Sequence, residues 1–343
     1  MAIAKRFGLG ILPVVLALLF ATLLLILVGA SPFDAFRQLF EGAFGSDQKI
    51  ADTLMAWVPL VLCACGLLIT YAAGLWNIGV EGPIVFGAIA AAWVAREVKA
   101  PTEVLIFLAM LGGIIGGALW GLVVGALRTF GKVSEIFGGL GLNFVATGFT
   151  IYLIIGPWQR AGIASTSGTD TFPREAWLPT IGTSRLAPLA IVLSIVAVVI
   201  VYSLLRGTFF GLRLKAVGRN MRSAFLLDVP TNRYMLTAFG LCGVFAGLAG
   251  AIQATGFHHK LVPAVSGGYG YLAILVAMLS GFRAARVPWI ALFFAMITIG
   301  STQLQLRLNL DSSLGGVLQG VLVLFVLLAQ GWQERRRRKA ASE

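Results

Sequence analysis

Ten apolar stretches separated by short polar turns fill most of the 343 residues, and they leave few folds open to this chain. They run over 9–30, 54–73, 82–95, 104–127, 136–156, 186–205, 235–256, 269–282, 287–306 and 314–330. Inside a bilayer every backbone N–H and C=O must be paired within a helix or a closed barrel. The stretches lack the ten-residue alternation of barrel strands, so they read as helices. Only 12% of the residues are charged and 58% are apolar, where a soluble chain carries roughly a quarter charged residues. A soluble globular domain is excluded, and so is a collagenous chain, because the 42 glycines follow no period of three. The expectation is an all-α integral membrane protein of about ten transmembrane helices, forming one domain over residues 1–343.

Charge placement orients that bundle. With the N-terminus inside, 17 of the 26 Lys and Arg fall on the cytoplasmic side: Lys5, Arg6, Arg128, Lys132, six between Arg206 and Arg233, Arg283, Arg286, and the run Arg335 to Lys339. The remaining 9 fall outside with most of the acids, which matches the excess of basic residues in cytoplasmic loops. Both termini are therefore expected in the cytoplasm. The basic tail, 331–343, is expected to fix orientation and touch anionic lipid, without any role in nucleic-acid binding. The first stretch has an alternative reading as a signal peptide, since Val28-Gly29-Ala30 resembles a cleavage site; its apolar length favours a retained helix.

Splitting the ten helices five and five gives two halves of opposite orientation. The third stretch of each half is only 14 residues long and follows a glycine-rich turn, GLWNIGVEGP in one case and SGGYGY in the other. Short, interrupted segments at matching positions of inverted halves point to a translocation site near the midplane, although tilting of short helices is the plainer explanation.

Catalytic chemistry finds no support. His258 and His259 are adjacent in an external loop without an acid cluster and read as solvated loop residues. The stretch GALRTFGKVS, 125–134, departs from a phosphate-binding loop, because Val133 separates the Lys from the Ser. Cys63, Cys65 and Cys242 sit in apolar runs and read as small hydrophobes.

Polar groups enter the apolar region at few places. Asn77 and Glu81 flank Gly79, and Gly82-Pro83 lead into the short third helix. Glu81 either lines a pathway or caps a helix, since an acid is favoured at a helix N-terminus. Asn143 must bond to a neighbouring helix or to a ligand. Gly113, Gly117, Gly121 and Gly125 recur every four residues and offer one smooth face for close helix packing. Between the sixth and seventh helices, the basic loop 206–233 contains a short helix expected over 220–227, with Phe225, Leu226 and Leu227 facing the cytoplasm as a docking surface.

These motifs together resemble a known family. WNIGVEGP resembles the LNIGVEGQ signature of permease subunits of bacterial ABC importers for nucleosides and simple sugars, and Leu142-Asn143-Phe144 resembles the LNY of their fifth helix. The loop 207–229 and the segment GYGYLAILVAMLSG resemble the corresponding parts of the same family. The resemblance implies a type II-like importer permease of two inverted five-helix halves in the bacterial inner membrane. It implies a coupling helix over 218–229, with Gly218, Arg219, Asn220, Arg222, Ala224, Phe225 and Asp228 meeting a separate cytoplasmic ABC ATPase. The short segments would line the substrate path through Trp76, Asn77, Glu81, Asn143, Tyr269 and Tyr271. ATP and Mg would be bound by the ATPase and not by this chain, and the further partners would be a second permease subunit and an external substrate-binding protein. Four departures stand out: Trp76 and Pro83 for Leu and Gln, Asp228 for a loop glycine, and Tyr269-Gly270-Tyr271 for Phe-Asp-Gly. The alternative is an ion-coupled carrier or channel with Glu81 as its ion site.

Overall fold

A computed structural model of the chain describes residues 29–160, 167–182, 184–308 and 314–321, together with 16, 19, 20, 22, 23, 25–27, 323–326 and 328. Lys5, Arg6 and the basic tail lie outside the described residues. No strand occurs among the described residues.

Each of the ten apolar stretches is met by a helix. In chain order these are α1, whose described residues lie between 16 and 27; α3, Asp47–Ala72; α4, Glu81–Glu97; α5, Thr102–Thr129; α6, Glu135–Ile155; and α7, Pro188–Gly207. They continue with α10, Thr231–Ile252; α11, Tyr269–Leu279; α12, Val287–Leu308; and α13, Leu314–Val326. Among the described residues six helices are long and apolar enough to cross a membrane: α3, α5, α6, α7, α12, and α10 with its extension to His258. The two helices expected to be short are so, at 17 residues for α4 and 11 for α11.

Three helices lie where connecting segments are expected. α2, Pro32–Phe44, starts from a Ser31 N-cap with Pro32 in its first turn, and buries Ala35, Leu39, Gly42 and Ala43 on one face. That spacing is the stripe of an amphipathic helix, too short and too polar for a hydropathy scan. α8, Phe209–Arg219, and α9, Met221–Leu226, fill the basic loop.

The chain groups into two compact units, Leu54–Ala291 and the pair Met1–Thr53 with Leu292–Glu343. In the smaller unit, α2 packs on α12 through glycine: a methyl group at Gly300 would strike the Leu39 backbone, and Leu25, Ala35, Leu39, Leu304 and Leu318 form its core. Gln319 donates to the Phe294 carbonyl at 3.1 Å, tying α13 to α12.

The larger unit is built around α4, α5 and α10, which pack closely against one another. The four-residue glycine row of α5 makes this possible. Gly113 and Gly117 lie against Gly247 of α10, Gly121 lies against the Phe239 carbonyl, and Gly125 takes the Phe239 ring. Gly87 of α4 meets Gly247 from the other side. Lipid supplies no hydrophobic drive between helices, so such backbone contact carries the association.

α10 ends in a widened π-helical turn, Gln253–His258. The Thr255 carbonyl accepts from the Leu178 N–H at 3.2 Å and lies 2.9 Å from His259 Nδ1. The His259 ring stacks on Trp177 at 3.8 Å. Both histidines are therefore half-buried rather than solvated: His259 holds the loop 167–178 on the end of α10, and His258 packs edge-on against Phe257. Burial, with the nearby Arg185 charge, holds the His259 imidazole below its usual range.

Candidate functional site

The polar groups of the larger unit converge where two short helices begin. The chain leaves α3 through Gly74, whose positive φ of 73° suits glycine, and runs irregularly to Val80 before α4 starts at Glu81. α11 starts at Tyr269 after Gly267 and Gly268, both left-handed. Glu81 joins the two starts. Its Oε1 accepts from the Gly270 N–H at 3.0 Å and the Tyr271 N–H at 3.2 Å. The first N–H groups of a helix lack partners within it, and a carboxylate there satisfies both the hydrogen bonds and the dipole. Glu81 is thus the first residue of α4 and caps α11 as well. Gly270 leaves room for this contact, since a Cβ would lie 3.0 Å from the Glu81 carboxyl carbon and press the side chain aside.

Asn143 of α6 holds the break from its other side. Its Oδ1 accepts from the Gly82 N–H at 2.8 Å, and its Nδ2 donates to the Ile78 carbonyl and the Tyr271 hydroxyl, each at 3.3 Å. Of the two partners open to Asn143, a neighbouring element or a ligand, the structure supplies the first. Asn77 is spent locally: its Oδ1 accepts from the Gly79 N–H at 3.1 Å and its Nδ2 donates to Cys242 Sγ at 3.3 Å. Asn77, Glu81 and Asn143 are all buried, whereas Trp76 is 46% exposed and Tyr271 42% exposed. Tyr269 is half-buried at the first position of α11. The six residues named for the pathway therefore fall into two sets. Three buried polar side chains fasten irregular backbone, and aromatic rings present surface beside them.

The neighbourhood contains groups that sequence reasoning did not single out. Trp120 of α5 stacks on Phe86 of α4 at 3.7 Å, and Phe149 of α6 extends the stack at 5.6 Å from Phe86. The Trp76 backbone N–H donates to Glu135 Oε1 at 3.4 Å, and the other oxygen of Glu135 pairs with Arg128 at 2.9 Å. Cys242, read only as filler, is the acceptor for Asn77. No local pattern marks these partners. Glu135 alone carried a signal, as an acid in the first turn of α6.

The basic loop is built as a presented helix. Asn220 caps α9 by accepting from the Ser223 N–H at 3.0 Å. Ala224 is buried and anchors the turn, while Phe225, Leu226 and Leu227 are 67%, 77% and 77% exposed. The turn closes with the Val229 N–H donating to the Ala224 carbonyl and with Asp228 at φ 56°. Asp228 thus stands in left-handed backbone at the position where the resembled loop carries glycine; Asp tolerates that region better than most residues. Arg219 and Arg222 are exposed around this turn. Gly218 faces inward, where a Cβ would strike the Ala72 carbonyl and the Gly74 N–H. The α8–α9 segment therefore rests directly on the turn that leads to Trp76, Asn77 and Glu81.

Substitution of Glu81 separates the acceptor oxygen from its charge. Glu81→Ala leaves two buried N–H groups without their acceptor and is expected to cost about 3 kcal/mol of stability. Glu81→Gln keeps an acceptor oxygen and removes the charge, with an expected cost of about 1 kcal/mol. The Gln variant should therefore be the more stable of the two by about 2 kcal/mol. Thermal unfolding of the two purified variants in detergent measures the difference, and equal losses would mean that the charge, and not the acceptor oxygen, holds the two helix starts together.

Comparison with known proteins adds to this geometry. A family model described as the branched-chain amino acid transport system / permease component matches residues 49–327. The glucose ABC transporter permease protein TsgB13 of Haloferax volcanii is 29% identical over 96% of this chain and 89% of its own length. The guanosine ABC transporter permease protein NupP of Bacillus subtilis is 26% identical over 92% of this chain and 91% of its own. The nucleoside ABC transporter permease protein NupB of Lactococcus lactis is 26% identical over 85% of this chain and 82% of its own.

Proposed function

Because this chain belongs to the branched-chain amino acid transport system permease component family, we propose that it is the membrane subunit of an ATP-driven importer of nucleosides or simple sugars. The single observation that carries the mechanism is the contact of Gly218 with the Ala72–Gly74 turn. A push on α9 from a cytoplasmic ATPase reaches that turn through rigid α8, and the turn leads straight to Glu81 and the paired starts of α4 and α11. Hydrogen-bonded short helices move as a unit, so the break can rock between two arrangements while the packed α5–α10 face stays fixed.

The ATPase is a separate chain in this reading, and it binds the ATP and Mg. An external binding protein delivers the solute. In this reading both termini lie in the cytoplasm of a bacterial inner membrane, which the distribution of Lys and Arg supports. Bacillus subtilis has two distinct relatives described as guanosine permease proteins, which supports a second, homologous permease subunit beside this one. Trp76, Tyr269 and Tyr271 supply rings on which a base or a sugar face stacks. Asn77, Glu81 and Asn143 hold those rings on the pathway through the backbone they fasten.

Purification from the native membrane, with identification of the accompanying chains, is the first test. Reconstituted vesicles should then take up guanosine, adenosine or glucose only with ATP, and ionophores should leave that uptake intact. Uptake that disappears with the ion gradient while ATP is present would replace this reading with the ion-coupled carrier.

A further inference from the structure

Away from the break at Glu81, the ends of α3 and α7, the middle of α8 and the link between α11 and α12 line a half-open cavity of about 430 Å3. Four cations line it: Arg206, Lys215, Arg283 and Arg286. No acidic side chain lines it, and none of the four forms an ion pair among the described residues. Arg206 is held in place, donating to the Tyr202 hydroxyl at 3.0 Å and lying 5.1 Å over its ring. The Lys215 ammonium donates to the Leu205 carbonyl. The side chains of Arg283 and Arg286 make no hydrogen bond to any described residue. The remaining wall is mostly apolar, from Leu68 to Phe282.

Cations gathered without a counter-charge repel one another, and one anion relieves that repulsion. Guanidinium groups suit a phosphate, which accepts paired N–H bonds from each. The apolar wall argues for a phosphate that carries hydrocarbon, and the cavity lies at the ends of membrane-spanning helices, where headgroups are found. We propose that this cavity binds the phosphate of an anionic phospholipid and so joins α8, which leads into α9, to the α11–α12 link. The inference rests on the proposed membrane orientation only for the leaflet that supplies the lipid.

The test uses the full chain purified with its ATPase in a neutral detergent. Native mass spectrometry follows retention of phosphatidylglycerol, phosphatidylcholine and inorganic phosphate. Phosphatidylglycerol should be retained at least about tenfold more tightly than phosphatidylcholine, and Arg283→Gln with Arg286→Gln should abolish the difference. Thermal unfolding checks that the double variant is folded; if it is not, Lys215→Gln carries the test with a smaller loss of selectivity. Equal retention of the two lipids, or selectivity that survives both variants, overturns the proposal. Inorganic phosphate bound as tightly as phosphatidylglycerol overturns it in favour of a soluble anion, and phosphatidylglycerol excluded by the bound ATPase overturns it in favour of a protein contact. Impermeant labelling of a cysteine introduced at Met221 reads the orientation separately. Labelling from outside would reverse the assigned leaflet and the proposed coupling while leaving lipid selectivity intact.

Discussion

A chain carrying Leu226→Glu and Leu227→Glu is expected to insert and fold as before, yet to lose its ATPase and with it all ATP-driven uptake. The two leucines lie on or beside a six-residue helix outside the membrane spans, and each exposes 77% of its surface. No described residue covers most of their surface, so the substitutions disturb little of the chain's own packing. An apolar anchor at the centre of an interface contributes about 2 kcal/mol or more, and a carboxylate buried in its place adds a desolvation cost. Two such changes amount to a loss of affinity of at least about 100-fold. Co-purification of the ATPase with a tagged permease measures it directly. Retained ATPase with retained uptake would show that the motor grips the chain elsewhere. Ala224 makes a poorer probe, because its buried side chain anchors the turn and an acid there would disrupt the segment before it blocked docking.

The second large effect is a contrast between two identical changes. Gly117→Ala and Gly141→Ala each add one methyl group to a membrane helix, and helix propensity favours each by about 1 kcal/mol. At Gly117 the methyl would meet the backbone of Gly243 and Gly247, with Gly247 N at 2.7 Å; at Gly141 nothing lies within 4 Å. Backbone cannot turn aside as a side chain does, so α5 and α10 must separate and forfeit their packing over several turns. The expectation is a loss of at least about 3 kcal/mol for Gly117→Ala and little or no loss for Gly141→Ala. Thermal unfolding of the two purified variants decides it, and equal stability would mean that the glycine row is not what brings α5 and α10 together.

Part of the site was legible before any coordinates, because the signals that mark it are local. The glycine row of α5 announced close packing through its spacing alone, and the run Phe225-Leu226-Leu227 announced an exposed apolar surface by interrupting a basic loop. α2 was missed although Ser31-Pro32 and the stripe Ala35, Leu39, Gly42 and Ala43 encode it, because a search for long apolar runs passes over an amphipathic helix. For Glu81 the sequence allowed a cap, and the first helix it suggests is α4. The structure adds α11, which begins 188 residues after α4 does.

By itself the sequence determined a helical membrane protein and the short segments where its helices break, and it raised the expectation that the basic loop faces the cytoplasm. Those properties are sums over neighbouring residues, and hydropathy and charge record them without reference to packing. Only the tertiary structure decided that Asn143 bonds to Gly82, that Asn77 bonds to Cys242, and that Arg206, Lys215, Arg283 and Arg286 share one cavity. Each depends on how far one helix slides or turns against another. A shift of one turn, about 5.4 Å, would assign every one of those side chains a different partner, and no local pattern fixes that shift.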